Sequence, residues 1–289
     1  MAQSKVKYYV PHGTRWPIIG SVGMFMLLGG ISILLNEGDI GQYLAYSGAI
    51  LVVLMMFLWF REVIGESESG TKYNEQVHQS FQMGMGWFIF SEVMFFACFF
   101  GALWYARNLS VPWLGGEGIN FFTNQLIWDG FENAWPSNGP GNVGGDYEAM
   151  PAWGIPAINT AILLSSGVTL TIAHHALLAN NRRVLNTFLP VTFVLGFIFI
   201  GLQASEYIEA YSELNLTLNT GIYGSTFYLL TGFHGLHVTI GAIMLFVIWL
   251  RCLNGHFTAD NHFAFEGTAW YWHFVDVVWL GLFIFVYWL

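Results

Sequence analysis

Seven apolar stretches of membrane-spanning length divide the chain, with short polar segments between most of them. A helix that crosses a bilayer needs about 20 mostly apolar residues. Stretches of that kind lie at residues 16–35, 42–60, 81–105, 155–178, 188–211, 226–250 and 268–289. The first ends in the acidic turn Asn36-Glu37-Gly38-Asp39, and the second at Arg61-Glu62. Residues 106–154 break the rhythm. They are rich in Gly, Asn and Trp and show no sustained helical period, so a packed or partner-contacting loop is expected there. The pattern predicts an all-α membrane protein with seven transmembrane helices.

Composition and charge sharpen that picture. Of 289 residues, 55% are hydrophobic and only 9% charged, against about a quarter charged in soluble domains. Seven spans put the two termini on opposite sides. The N-terminal side then carries Lys5, Lys7, Arg15, Arg61, Lys72, Arg182, Arg183 and Arg251, and the other side only Arg107. Lys/Arg-rich loops are cytoplasmic, which places the N-terminus inside. One span more or fewer would mix the two groups. The acidic loop 106–154, with Glu117, Asp129, Glu132, Asp146 and Glu148, then faces outward. Residues 1–15 are polar and the run after them has no small-residue cleavage site, so no cleavable signal peptide is expected.

Several function classes are excluded at this level. The net charge is −9 and the nine Lys and Arg are scattered, which argues against nucleic acid. Cys98 and Cys252 form no CxxC pair, so neither a disulfide framework nor a sulfur-rich copper or iron–sulfur site is expected. No GxSxG, P-loop or HExxH string occurs. No inverted repeat of the transporter kind is visible.

Ionisable groups at membrane depth are costly and need partners. Glu92 lies mid-span in the third stretch, and His234 and His237 lie mid-span in the sixth, where their spacing puts them on one face near Gly232, Gly235 and Gly241. His273 and Asp276, three apart, share a face of the seventh. His174 and His175 close the inner end of the fourth, and Glu206 and Glu209 lie near the outer end of the fifth. Three readings remain open: a structural hydrogen-bond network, contact with lipid headgroups or protons, and metal ligation. The histidine pairs differ in depth, which weighs against haem or a di-iron oxygenase.

The string Phe265-Glu266-Gly267-Thr268-Ala269-Trp270-Tyr271-Trp272-His273-Phe274-Val275-Asp276-Val277-Val278-Trp279 closely resembles the last-helix signature of subunit III of cytochrome c oxidase. Four further stretches match that family in order. They are Ser91 to Phe96, Ala173 to Leu177, Gln203 to Tyr207, and Tyr223 to Phe227 continuing into Thr231 to Val238. Trp59 to Ile64 resembles the family's segment after helix two. The resemblance covers almost the whole chain.

It implies a non-redox subunit of a bacterial aa3-type haem–copper oxidase in the cell inner membrane, with the C-terminus periplasmic. Helices one and two (residues 16–61) would form a pair, joined by a cytoplasmic loop (62–80) to a five-helix bundle (81–289), with phospholipids in the cleft. Haem and copper would reside in partner subunits. The main partner would be subunit I, with subunit II and small subunits besides. The chain would stabilise subunit I and support proton uptake.

By position, the resemblance makes Glu92 the intramembrane carboxylate and places Trp59, Glu66, His237 and Arg251 at phospholipids. His234, His273, Asp276 and Glu206 are expected to form a structural polar network. His256, Asp260, His262 and Glu266 cluster on the inner side and are expected to collect protons. Two departures stand out: loop 106–154 is long and Gly-rich, and Gly65 stands where some members are basic. A quinol-oxidase subunit III is the nearest alternative, but that type usually keeps only the last five helices.

Overall fold

The computed structural model describes residues 13–69 and 75–289. Seven long helices dominate it: α1 (Trp16–Leu35), α2 (Gly41–Glu68), α3 (Glu75–Tyr105), α4 (Ile155–Leu178), α5 (Arg182–Ser212), α6 (Gly221–Leu253) and α7 (Phe263–Leu282). All seven are long and apolar enough to cross a membrane. No strand occurs among the described residues.

Helix ends depart from the apolar stretches. The polar segment 62–80, expected as a loop, is helical in most of its described part: α2 runs on to Glu68 and α3 has begun by Glu75. Likewise α5 starts at Arg182, where the Asn181 side chain accepts from the Val184 amide at 3.3 Å. The apolar stretch marks the hydrocarbon layer, whereas the backbone ladder continues into the headgroup region. The segment 106–154 is also not structureless. A π turn (Ala106–Ser110) and a short helix (Val111–Leu114) extend α3, and a further helix spans Phe121–Ile127. A π turn (Phe283–Trp288) likewise extends α7.

The chain divides into two compact units, one up to Met83 and one from Gly84. In the first, α1 and α2 pack through small residues. A Cβ on Gly30 would fall 2.3 Å from the Ala45 nitrogen, and one on Gly48 the same distance from the Leu27 nitrogen. Backbones this close gain dispersion contact, which drives helix association where lipid supplies no hydrophobic force. At one end of this hairpin the Trp16 indole donates to Glu62 at 2.6 Å.

In the second unit the core centres on Trp272 of α7, which is fully buried. Its indole donates to Ser166 of α4 at 2.9 Å. Glycines of two further helices make room for the ring: a Cβ on Gly196 of α5 would lie 2.6 Å from it, and one on Gly241 of α6 2.8 Å. Four helices therefore meet on one side chain. Of the glycines around the α6 histidines, only Gly241 marks such an approach. Gly235 has nothing within 4 Å.

Loop contacts define the ends of this unit. At one end Glu148 donates its amide to the Leu214 carbonyl at 2.9 Å, Tyr223 donates its amide to Ser137 at 3.3 Å, and Trp153 packs edge-on against Trp288. At the other end Arg182 donates to the Phe257 carbonyl, and the Arg251 guanidinium lies 4.4 Å over the Phe257 ring. Arg182, Arg183 and Arg251 thus share one end and Arg107 the other, in keeping with the charge pattern. Lys5, Lys7 and Lys72 lie outside the described residues.

Candidate functional site

Polar groups at membrane depth in the second unit fall into four clusters, each built from residues far apart in the chain. The first joins α3 to α6. Glu92 Oε2 lies 2.9 Å from His237 Nε2. His237 Nδ1 donates to the Phe233 carbonyl, one helical turn back, at 2.6 Å. That bond fixes the Nδ1 proton, so one further proton lies between ring and carboxyl. Either a protonated Glu92 donates to a neutral ring, or an imidazolium donates to the carboxylate. In both cases the pair carries no net charge. Aromatic side chains enclose it: Phe95, Phe96, Phe274 and Tyr271 all pack on the His237 ring. Both His237 nitrogens are thereby used within the chain.

His234 faces elsewhere. Three residues from His237, it shares a helix but not a partner. Its Nε2 donates to the Val275 carbonyl of α7 at 3.2 Å, and its ring packs between Phe199 and Trp279. It is 1% exposed, and its Nδ1 has no hydrogen-bond partner. The expectation that the two α6 histidines share a face is therefore refined: about 60° of rotation around the helix separates them, enough to give His234 a partner on α7 and His237 a partner on α3.

The third cluster sits at the loop-covered end. Glu206 is fully buried, and its Oε1 accepts from Tyr287 at 2.6 Å and from Gln203 at 3.2 Å. Its second oxygen has no partner. Tyr147 lies close by, outside the spans, stacked on Tyr223 at 5.8 Å. Burial pushes its phenol from the ordinary 10.0 up to about 12.

The fourth is His273 with Asp276 on α7. Their Nδ1 and Oδ2 are 3.5 Å apart, and His273 Nε2 lies 3.5 Å from the Thr171 hydroxyl of α4. Further along α7, Trp279 makes a second contact with α4 by donating to Thr160 at 2.9 Å. So His234, His273, Asp276 and Glu206 do not form one continuous network. They occupy three separate places, because each helix can reach only its own neighbours at its own depth.

Trp59 and Glu66 belong to α2 in the first unit, and Arg251 to α6 in the second. Trp59 is half exposed and stacks on Phe60, while Arg251 is 8% exposed beneath Phe257. His256, Asp260, His262 and Glu266 lie along the segment that joins α6 to α7. The His262 ring packs on His174, 5.6 Å between centroids, which brings a residue of the α4 end into that group. Among the described residues, no three His, Cys, Asp or Glu converge so as to hold a metal ion.

Sequence reasoning missed Gln203, Tyr287 and the Glu92–His237 contact. Tyr287 gives no signal of its own, since tyrosines are ordinary at membrane interfaces. Glu92 and His237 are 145 positions apart, and only helix packing joins them.

Seven apolar helices with internally paired polar groups define a polytopic α-helical membrane protein. The sequence model of the cytochrome c oxidase subunit III family matches residues 7–118 and 128–289. Cytochrome c oxidase subunit 3 of Squalus acanthias is 39% identical over 288 residues, covering 100% of this chain and 99% of that one. The Hippopotamus amphibius protein of the same name is 38% identical over 281 residues, covering 97% and 96%. That of Danio rerio is 38% identical over 288 residues, covering 100% and 99%. The chain belongs to the cytochrome c oxidase subunit III family. It is a multi-pass membrane component of an oxidoreductase complex that contains other oxidase subunits.

Proposed function

We propose that this chain is the non-redox third subunit of a bacterial aa3-type oxidase, stabilising subunit I and supporting proton uptake while electrons pass from cytochrome c to oxygen. Subunit II and small subunits complete its surroundings, and haem and copper reside in the partners. The observation that carries this reading is the match to relatives along the entire chain, α1 and α2 included. That extent favours the cytochrome c type over a quinol type reduced to five helices.

The bacterial inner membrane, with N-terminus cytoplasmic and C-terminus periplasmic, is supported by the Lys/Arg asymmetry. His256, Asp260, His262 and Glu266, with His174 beside them, lie at the same end as Arg182 and Arg251. Exchangeable groups on the proton-supplying side can raise the local proton supply. Phospholipid is the expected ligand at Trp59 and Glu66 on α2 and at Arg251 and His237 on α6, with the headgroup at Arg251 and only the acyl chain reaching His237, whose ring nitrogens are already bonded. Arg251 offers a cation at a helix end for a headgroup phosphate. Glu92 acts through its His237 contact as a structural carboxylate and not as a pumping relay.

Purification of the tagged chain from its own membranes tests the reading. Haem- and copper-bearing subunits should co-purify, with a haem spectrum that the separated chain lacks. Stoichiometric haem or iron in the separated chain, or no oxidase subunits alongside it, would overturn it.

A further inference from the structure

The surfaces of α4 and α7 meet along a groove that the packing of this chain leaves open. α7 is mostly buried: between Phe263 and Leu282, Val277 and the His273 side chain are the best exposed. There His273, Val277 and Leu280 form a stripe at i, i+4 and i+7, and Leu164, Val168 and Thr171 form the matching stripe on α4. Together with Gly167 and Asp276 they line a cavity of about 310 Å³. Gly167 gives the groove its depth, since a Cβ there would lie 2.4 Å from Asp276 Oδ2.

The floor of this groove is short of hydrogen-bond donors. Asp276 is 7% exposed, and its Oδ1 has no partner. The Thr171 hydroxyl donates back to Gly167 at 2.9 Å. His273 touches both Asp276 and Thr171, but each contact is 3.5 Å, longer than an ordinary hydrogen bond. Its side chain is 45% exposed. Asp276 stands 13 residues into α7, about 20 Å along it at 1.5 Å per residue, and so near the middle of a hydrocarbon layer about 30 Å thick. Polar groups at that depth are expected to find a partner.

We infer that the α4–α7 groove seats a transmembrane helix of another oxidase subunit that carries a hydrogen-bond donor at mid-membrane depth, aimed at His273 and Asp276. The inference rests on the reading of this chain as an oxidase subunit. Depth selects the occupant. A phospholipid headgroup stays about 15 Å away at the interface, and an acyl chain has no donor. A helix supplies both apolar side chains for the Leu164, Val168 and Val277 rim and one donor for the floor.

Photo-crosslinking in the intact oxidase tests this. With p-benzoylphenylalanine in place of Val277, the main adduct should join this chain to a transmembrane peptide of another subunit. A Ser, Thr, Tyr, Trp, Asn, Gln, Lys or Arg should lie within one turn of the attachment point. Asp276→Leu should cut the adduct yield severalfold. His273→Leu, at a more exposed position, should do the same if the first variant folds poorly. Adducts with lipid alone, with a second copy of this chain, or with a peptide lacking a donor would overturn the inference while leaving the subunit reading intact. So would a yield unchanged by either substitution. Failure of other oxidase subunits to co-purify would overturn both.

Discussion

Glu92 of α3 and His237 of α6 share a proton across 2.9 Å, because the Phe233 carbonyl occupies the other nitrogen of the ring. Glu92→Gln keeps a donor for the ring and should leave stability within about 1 kcal/mol of the parent. Glu92→Ala strands a largely buried ring nitrogen and should cost about 1–3 kcal/mol. Denaturation midpoints of the detergent-solubilised oxidase separate the two, and equal losses would rule out the shared proton. The Glu92→Gln oxidase should also pump protons normally. Oxygen consumption with lost pumping would make Glu92 a relay.

The Glu206 cluster depends on Tyr287. The Tyr287→Phe change removes the 2.6 Å donor from a fully buried carboxyl whose second oxygen has no partner. A loss of about 1–3 kcal/mol is expected. The loss should shrink when Glu206→Gln is already present, since an amide brings its own donors. A double-mutant cycle reads the coupling. Strict additivity would show that the two side chains do not act together.

Close approach of α1 and α2 makes a sharp contrast between neighbouring glycines. Gly30→Ala drives a methyl into the Ala45 backbone, whereas Gly29→Ala meets nothing within 4 Å. The first should destabilise by about 1–3 kcal/mol and expose the hairpin to protease, while the second should be silent. Equal protease sensitivity of the two variants would refute this packing.

Alkaline stability should carry the mark of Tyr147. Its phenol rises from 10.0 to about 12 because burial penalises the phenolate. The folded state therefore favours the neutral form. That contribution is complete below about pH 10 and is lost as pH climbs from there through about 12. The Tyr147 hydroxyl has no partner, so Tyr147→Phe should be neutral at pH 8 and flatten the fall in melting temperature between pH 10 and 12. An unchanged alkaline slope would contradict the assignment.

Proton collection by the segment between α6 and α7 predicts a pH-dependent defect. Neutralising His256, Asp260, His262 and Glu266 together should slow steady-state proton uptake most at high pH, where bulk protons are scarce. Turnover measured against pH should fall away earlier than in the parent oxidase. An unchanged profile would remove these groups from the uptake path.

The sequence alone determined the number of spanning helices, because spanning length and apolarity are local properties that neighbouring residues settle together. It also marked the costly positions, since Glu92, His234, His237, His273 and Asp276 stand out in apolar surroundings without any knowledge of their partners. Helix ends at Glu68, Glu75 and Arg182 escaped it, because backbone hydrogen bonding outlasts the apolar stretch that reveals the helix. Tertiary structure decided which groups meet. It joined Glu92 to His237 and Glu206 to Tyr287, gave His234 a different partner from His237, and left Asp276 facing an open groove. Those outcomes depend on the rotation and depth of each helix against its neighbours, which small residues such as Gly167, Gly196 and Gly241 set and no single helix contains.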